Sequence, residues 1–265
     1  MQPHKTIVVI PTFNERSNIV PLVERIVGLN LCLDILIVDD NSPDGTGRVA
    51  DELAARHAEV AVLHRPWKYG LGRAYATGFG FALDRGYEQI LQMDADFSHA
   101  PEAIPAFLQA LSHSDLVVGS RYLKGGETEN WALHRLVLSR MATWFVRLIT
   151  GDYCTDATSG FKGFRRQVLE SLDLKGLESL GYVFQVEVNH QVRRKGYRVT
   201  EIPIRFADRV RGSSKLHVGV ILEAIFLILR LRFKGLGRFH HANIKRWCYG
   251  SQRRQEYRRT AAGRS

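Results

Sequence analysis

Short apolar runs alternate with longer stretches of helical apolar spacing along the first half of the chain. The runs are each about long enough for one buried strand, and the stretches between them place apolar residues three or four apart. The pattern predicts strands at 6–10, 35–38, 60–63, 90–93 and 116–118, with helices at 19–29, 48–57, 73–85 and 102–111. Strands that alternate with helices are typical of a doubly wound α/β fold. We therefore expect a Rossmann-like, mostly parallel central sheet flanked by helices.

The second half carries fewer but equally clear signals. An apolar helix is predicted at 131–150, carrying Arg135, Arg140 and Arg147, and a loop follows at 151–159. A short strand at 161–164, a helix at 184–195 and a strand at 197–202 that ends before Pro203 complete the pattern. No Gly-x-Gly-x-x-Gly follows the first strand, which argues against a nicotinamide dinucleotide site.

One run, at 218–229, raises the question of a membrane. It holds twelve residues with a single acid, and Arg230, Arg232 and Lys234 follow it. A helix needs about 20 apolar residues to cross a bilayer, so this run predicts an amphipathic helix lying in the membrane interface. A helix in the core or in a dimer interface is the alternative. The expected division is a catalytic domain at 1–216, an interface helix at 217–233 and a tail at 234–265.

Charge and cysteine content narrow the class of protein. The net charge of the 265 residues is +10, and most of it lies after residue 233, where nine Lys/Arg accompany one acid. Such a basic tail binds anionic lipid or nucleic acid, or is only solvated. No nucleic-acid-binding motif accompanies it, so no nucleic-acid partner is expected. The three cysteines are far apart and lack Cys-x-x-Cys spacing, which is typical of a protein in a reducing compartment. The first strand is predicted to start near residue 6, which leaves no room for a signal peptide. We therefore expect a cytoplasmic protein.

The strongest chemical signal is Asp94-Ala95-Asp96, directly after the strand at 90–93. Ligands of open α/β sheets bind at the carboxyl ends of the strands. Two carboxylates one residue apart repel each other unless a cation offsets the repulsion, and oxygen ligands suit Mg²⁺ or Mn²⁺. A helix cap or a turn is the alternative explanation for this triplet.

Four further polar segments follow strands or fill loops on the same expected edge. They are 10–15 (Ile-Pro-Thr-Phe-Asn-Glu), 37–46 (Ile-Val-Asp-Asp-Asn-Ser-Pro-Asp-Gly-Thr), 119–122 (Gly-Ser-Arg-Tyr) and 208–215 (Asp-Arg-Val-Arg-Gly-Ser-Ser-Lys). Carboxylates can hold nucleoside hydroxyls and metal, and a basic loop can hold phosphate through charge-assisted hydrogen bonds. Their convergence on one edge indicates a site for a phosphorylated substrate.

These segments, with Met-Asp-Ala-Asp-Phe-Ser-His at 93–99, Ser-Gly-Phe-Lys at 159–162 and Gly-Tyr-Val-Phe-Gln at 181–185, resemble glycosyltransferase family 2. Within it they are similar to the dolichol- or polyprenol-phosphate mannosyltransferases over about residues 6–216. The resemblance implies a GT-A fold that transfers mannose from GDP-mannose to a polyprenyl phosphate, with a divalent metal (Mg²⁺ or Mn²⁺) and inversion of the anomeric centre.

The resemblance also implies roles for individual residues. The donor would be bound by Pro11, Phe13, Glu15, Val38, Asp40, Asp94, Ala95, Asp96, Arg209 and Lys215. Asp94 and Asp96 would hold the metal. Ser98, which stands where some relatives carry a glutamine ligand, would be the third residue of the metal site. Arg121, Arg209 and Lys215 would hold the donor and acceptor phosphates, and with Asp96 they form the expected catalytic set.

Other polar residues have open interpretations. Arg135 and Ser139 lie one helical turn apart and would grip the acceptor phosphate, unless Arg135 only faces solvent. We expect His64 and His99 to be turn or surface residues. Glu187 is interpreted as part of a helix face, and Arg193 and Arg194 as a solvated cluster.

One alternative stays open at the level of function. The same transfer could use another sugar nucleotide, such as UDP-glucose. Attachment to the membrane is expected to be peripheral, at its cytoplasmic face, and a separate membrane-anchoring protein could assist it.

Overall fold

A seven-stranded sheet forms the centre of the computed structural model, which describes residues 5–129, 131, 133–151, 153–174, 183–207, 225, 228 and 229 (for His134 and Arg135, only the backbone). Its first part contains β1 (Thr6–Thr12), α1 (Arg16–Val27), β2 (Leu33–Asp39), α2 (Thr46–Arg56), β3 (Val60–His64), α3 (Leu71–Asp84), β4 (Gln89–Gln92), α4 (Ile104–Leu111) and β5 (Leu116–Ser120). A short 3₁₀ turn at Pro101–Ala103 precedes α4. The predicted strands and helices of this part are confirmed.

The remaining elements are β6 (Glu127–Glu129), α5 (Leu133–Thr150), β7 (Lys162–Arg165), α6 (Arg166–Ser171), α7 (Val183–Arg194), β8 (Val199–Pro203) and β9 (Arg205–Ala207). The strand order of the sheet is β3-β2-β1-β4-β7-β5-β8, and β6 pairs with β9 in a separate two-stranded sheet. β7 runs antiparallel to both β4 and β5, and the other strand pairs are parallel. The expected mostly parallel α/β fold is therefore confirmed.

The central strand β1 shows why the sheet is covered on both faces. Each of its seven residues is buried, and successive side chains point to opposite faces. Ile7 and Val9 pack in one apolar cluster, which includes residues of α3, α6 and α7. Val8 and Ile10 pack in the other cluster, which includes residues of α1, α2 and α4. A strand that is buried on both faces has a continuous apolar sequence, and the sequence of β1 shows this pattern.

Helix α3 lies unusually close to β1. A Cβ atom built on Gly78 would overlap the Val9 side chain. Glycine at this position thus lets the helix backbone approach the sheet, and the approach fixes the position of Tyr75 on the preceding turn of α3.

Three elements were not predicted. β6 and β9 have three residues each and carry charged or exposed side chains, so they lack the apolar alternation that marks a strand. α6 is a six-residue helix directly after β7 and is too short for a periodic signal. Of the predicted helix at 217–233 and the tail at 234–265, only residues 225, 228 and 229 lie within the described part, and they are helical.

Within the described residues, no helix is both long enough and apolar enough to cross a membrane.

Candidate active site

The carboxyl ends of β2, β1 and β4 form one continuous edge, because these three strands are neighbours and parallel. Asp39 and Asp40 lie at the end of β2, Phe13 and Glu15 follow β1, and Asp94 follows β4. This is the arrangement that the strand pattern predicted, since the carboxyl ends of parallel strands meet at one edge.

Asp40 lies in a buried ion pair at this edge. Its carboxylate accepts a hydrogen bond from Arg65 at 2.6 Å, and both side chains are at least nine-tenths buried. Burial raises the pKa of Asp40 to about 6, although Arg65 opposes this effect by favouring the charged form. Asp40 therefore changes its charge at a pH where most carboxylates are already ionised.

The neighbouring Asp39 has a different role. Its carboxylate accepts hydrogen bonds from Thr12 Oγ1 (3.0 Å) and from Ser42 Oγ (2.6 Å) and the Ser42 backbone N–H (3.1 Å). These bonds join the end of β1 to the loop after β2. Asp39 thus holds the loop that presents Asp40.

The residues after β1 are positioned by the same loop. The Glu15 backbone N–H donates to Thr46 Oγ1 at 2.9 Å, and the Glu15 carboxylate accepts from Asn18 Nδ2 at 2.8 Å. The Lys68 ammonium lies 3.6 Å from the centre of the Phe13 ring. Pro11 and Val38 are buried within β1 and β2, next to one another in register. The predicted donor residues of β1 and β2 therefore lie together.

Asp94 is oriented from two sides. Tyr75 Oη donates a hydrogen bond to Asp94 Oδ1 at 2.8 Å. The backbone N–H of Asp94 donates to His99 Nδ1 at 3.4 Å. A Cβ atom on Gly160 would lie 2.8 Å from Asp94 Oδ2, so only glycine leaves this carboxylate its room.

Asp96 caps the turn that follows. Its Oδ1 accepts a hydrogen bond from the Ser98 backbone N–H at 3.1 Å, and Phe97 between them has a φ of 61°. Asp96, Ser98 and Ala95 are all buried. The turn that the sequence allowed is thus present, and it holds Asp96 beside Asp94. The turn is compatible with a role of Asp96 in binding a metal ion.

The donor set fits a hard divalent cation. Asp94 and Asp96 supply carboxylate oxygens, which Mg²⁺ and Mn²⁺ prefer. Among the residues that the structure describes, no group of three His, Cys, Asp or Glu side chains could hold a metal. An ion held here by Asp94 and Asp96 would complete its coordination with oxygens of substrate and water, as is usual for Mg²⁺.

The prediction that His99 is a turn or surface residue is wrong. It is 1% exposed and its ring packs between Phe161 and Phe206, with ring centres 5.2 and 5.3 Å away. Burial lowers the pKa of His99, in spite of Asp94 and Asp96 nearby. A neutral ring that accepts a hydrogen bond at Nδ1 carries its proton on Nε2.

Arg121 follows β5 and lies in a second buried ion pair. Its Nε and Nη2 donate to the two oxygens of Asp156, both at 2.6 Å, and Nη2 also donates to Thr158 at 2.9 Å. Burial alone would lower the pKa of Arg121, but Asp156 more than offsets this effect and keeps the guanidinium charged. The charge expected to hold phosphate is thus already paired with a carboxylate, and the phosphate role of Arg121 stays a prediction.

Ser139, predicted to bind the acceptor phosphate, lies on α5 and accepts a hydrogen bond from Tyr122 Oη at 2.7 Å. This bond ties α5 to the residue after Arg121. The side chain of Arg135 and the loop with Arg209 and Lys215 lie outside the described residues, as do Gly181 and Tyr182.

Four other polar residues have interpretations from the sequence: His64, Glu187, Arg193 and Arg194. His64 is half exposed and pairs with Asp51 at 2.8 Å, as expected of a surface residue. Arg194 is exposed and Arg193 is half-buried at the end of α7. Glu187 is only 2% exposed, so its helix face is an inner one.

Three side chains of the site were missed from the sequence: Arg65, Tyr75 and Asp156. Arg65 directly follows β3, which is the neighbour of β2 in the sheet. Its position after a strand could therefore have predicted that it lies on the same edge as Asp40. Tyr75 and Asp156 reach the site from a helix and from a loop, and nothing in their spacing marked them.

A mostly parallel sheet with paired carboxylates after its central strands defines the GT-A class of glycosyltransferase folds. Structures of glucosyl-3-phosphoglycerate synthase from Mycobacterium tuberculosis share this fold. The one solved with Mn²⁺, UDP and phosphoglyceric acid has a TM-score of 0.64 at 15% identity, over 89% of this chain and 80% of that one.

The chain belongs to glycosyl transferase family 2, whose model matches residues 7–173. Curated relatives are similar over most of its length. A polyprenol monophosphomannose synthase of Mycolicibacterium smegmatis is 44% identical over 233 residues, which is 87% of this chain and 88% of the relative. An undecaprenyl-phosphate mannosyltransferase of Micrococcus luteus is 41% identical over 236 residues, covering 88% and 97%.

Proposed function

We propose that this enzyme transfers mannose from GDP-mannose to a polyprenyl phosphate, with inversion at the anomeric carbon and with a divalent metal. The observation that carries the proposal is the convergence of Asp40, Asp94 and Asp96 on one sheet edge, with Arg65 and Arg121 as buried cations beside them. The two curated relatives described above are both named for the transfer of mannose to a polyprenyl phosphate, which supports the choice of sugar and acceptor.

In this proposal each part of the edge binds one part of the donor. Pro11, Phe13, Glu15, Val38 and Asp40 line the nucleoside pocket. Asp94 and Asp96 hold the ion, Mg²⁺ or Mn²⁺, which offsets the charge of the donor diphosphate. Tyr75 keeps Asp94 in place through its hydrogen bond. Arg209 and Lys215, from the loop outside the described residues, would supply the remaining phosphate contacts.

The reaction needs no general base from the protein. An acceptor phosphate has a second pKa of about 6 and is largely dianionic at pH 7. One of its oxygens forms a bond to the anomeric carbon of mannose while the bond from that carbon to the diphosphate breaks and GDP leaves. The work of the chain is therefore to bring two anions together and to offset their repulsion. Arg121, Arg135 and Ser139 are the residues proposed to receive the acceptor phosphate.

The proposal is tested by a panel of donors. GDP-mannose, UDP-glucose and UDP-GlcNAc are each offered with a short-chain polyprenyl phosphate, with Mn²⁺, with Mg²⁺ or with a chelator. We expect transfer from GDP-mannose alone, and its loss in the chelator. Transfer from a UDP-sugar at a higher rate would reject GDP-mannose as the donor, and full activity in the chelator would reject the role of Asp94 and Asp96.

Donor binding is expected to weaken below about pH 6, the pKa that burial gives Asp40. The ionised carboxylate only accepts hydrogen bonds, and protonation turns one acceptor oxygen into a donor. The affinity for GDP-mannose should fall about tenfold between pH 7 and pH 5, since about a tenth of Asp40 stays ionised at pH 5. Calorimetric titration across this range measures the effect, because the phosphates of GDP-mannose keep their charge throughout. The Asp40→Asn variant is the control and should bind weakly at each pH; the same slope in this variant would assign the effect to another group.

A further inference from the structure

The carboxylate of Glu201, on β8, accepts hydrogen bonds from three consecutive residues of the loop before β7. Its Oε1 accepts from Cys154 Sγ (3.2 Å), from the Thr155 N–H and Oγ1 (2.9 and 2.8 Å) and from the Asp156 N–H (3.2 Å). The Thr155 N–H is shared with Oε2, also at 2.9 Å. Hydrogen bonds to a carboxylate are about twice as strong as those between neutral groups. Glu201 therefore fixes the backbone of the segment 154–156.

The same carboxylate sets the direction of a chain of hydrogen bonds that reaches the segment after β5. Thr155 Oγ1 donates its one proton to Glu201, so it accepts from Ser120 Oγ, 2.7 Å away. Ser120 Oγ in turn accepts from the backbone N–H of Tyr122 at 3.2 Å. A carboxylate only accepts, so the chain ends at Glu201 and each hydroxyl along it has one orientation. The network thus includes both residues that flank Arg121.

Arg121 itself is oriented by the last residue of the segment 154–156. Asp156 accepts from Nε and Nη2 of Arg121, and from its backbone N–H at 3.1 Å. The rings of Tyr122, Trp131 and Phe206 enclose the guanidinium, with ring centres 5.3, 5.2 and 4.9 Å from its Cζ. Nη1 of Arg121 makes no hydrogen bond to the residues that the structure describes. Its two N–H groups are therefore available to a ligand, and their direction depends on the position of Asp156.

The contacts run in two steps from the sheet to Arg121. Glu201 bonds to the backbone of Asp156, and the Asp156 side chain bonds to Arg121. Because Asp156 is fully buried in a closely packed site, a shift of its backbone would also move the guanidinium. Glu201 is a firm anchor, since β8 pairs with β5 in register and places it beside Val118. An error of about 1 Å in the position of a reacting group can cost about 100-fold in rate.

We propose that Glu201 is a positioning residue of the transfer reaction. Its carboxylate holds the segment 154–156 on β8, so that Asp156 directs Nη1 of Arg121 toward the acceptor phosphate. The inference rests on the proposed function, in which Arg121 receives that phosphate. The hydrogen bonds of Glu201 lead to the segment after β5, whereas the proposed donor residues follow β1, β2 and β4. Glu201 should therefore act on the acceptor and not on the donor.

The test removes the carboxylate and keeps the length of the side chain. Glu201→Met removes both acceptor oxygens, and the milder variant Glu201→Gln keeps one of them. Glu52→Met is the matched control, because Glu52 is exposed on α2 and pairs with Arg48 at the surface. Thermal denaturation verifies that each variant is folded.

We expect Glu201→Met to raise the KM for a short-chain polyprenyl phosphate at least about tenfold and to change the Kd of GDP-mannose by less than about twofold. Glu201→Gln should raise the acceptor KM by a smaller factor, and the control should behave like wild type. A merely structural role would lower kcat through the fraction of folded enzyme and leave the acceptor KM unchanged, and that result would overturn the proposal. An equal rise in the Kd of GDP-mannose would overturn it as well.

The background Arg121→Met/Asp156→Leu tests the path from Glu201 to the acceptor. Both groups that Glu201 is proposed to align are absent from this background, so adding Glu201→Met should not raise the acceptor KM further. A further rise as large as that seen in the wild-type background would show that Glu201 acts by another route, and the proposal would be rejected.

Alkylation of cysteines separates this inference from the proposed function. Cys154 is 1% exposed, whereas Cys32 is exposed and serves as the internal reference. Labelling of Cys154 by N-ethylmaleimide, followed by mass spectrometry, should be at least about tenfold faster in Glu201→Met than in wild type, because the released segment opens more often. Labelling of Cys32 should not change. Absence of transfer by wild type would refute the proposed function; unchanged labelling of Cys154 would overturn the anchoring role of Glu201, whatever the outcome of the transfer assay.

Discussion

Replacing Asp96 by Asn is expected to lower kcat/KM for sugar transfer about 10³-fold, the upper range for loss of one group that offsets charge in a transition state. The substitution keeps the shape of the side chain, and the amide oxygen can still accept the hydrogen bond from the Ser98 N–H that holds the turn. What is removed is the negative charge proposed to bind the ion beside Asp94. Steady-state kinetics with GDP-mannose measures the loss, and Mn²⁺ titration in the presence of GDP should show weaker metal binding.

Asp84→Asn is the matched control for this experiment. Asp84 is exposed at the end of α3, the helix that leads away from the edge that carries Asp96. This variant should keep wild-type kinetics and metal affinity. Asp96→Asn with more than about a tenth of wild-type activity would contradict the metal-binding role, because a direct ligand costs more than that when it is lost.

Replacing Asp156 by Asn is expected to produce the largest loss of stability. Asp156 is fully buried and pairs with both Nε and Nη2 of Arg121, whose side chain is 7% exposed. Removing one partner of a buried pair leaves a charge without compensation and costs about 3–5 kcal/mol of the free energy of unfolding. The midpoint of thermal unfolding should fall by about 10 °C for a domain of this size. Glu102→Gln, which breaks the exposed Arg25–Glu102 pair, should cost less than about 1 kcal/mol.

A double variant then separates the structural role of Arg121 from its predicted role in phosphate binding. Arg121→Met/Asp156→Leu removes both charges, and replacing a buried pair by apolar residues is often nearly neutral for stability. We expect this variant to recover most of the stability but to have a strongly raised KM for the acceptor. Recovery of both stability and transfer would show that Arg121 only supports the fold.

The sequence was sufficient to predict the sheet and the main carboxylates of the site, for one physical reason. Parallel strands place their carboxyl ends on a shared edge, so a strand followed by Asp39-Asp40 and another followed by Asp94-Ala95-Asp96 specify the place of both groups. The strands are buried on both faces and are therefore continuous apolar runs, which are easy to recognise.

The partners of those groups were not predictable in the same way. Arg65 and Asp40 are 25 residues apart, and Arg121 and Asp156 are 35 apart, so their pairing depends on how loops lie over the edge. His99 is buried because Phe161 and Phe206, from distant segments, close over its ring. The sequence of α5 shows an apolar helix with arginines, but which face packs inward follows from its contacts with α7.

The place of β7 in the sheet has a consequence for how the chain folds as it is synthesised. β7 lies between β4 and β5, and pairs with both, although it follows them by tens of residues in the sequence. Until residues Lys162–Arg165 have left the ribosome, β4 and β5 each present an unpaired edge, which is a template for association with other chains. β5 can therefore join the rest of the sheet only after β7 has emerged, and β8 completes the sheet later still. A nascent chain that stalls earlier exposes strand edges and is expected to be a substrate for chaperones.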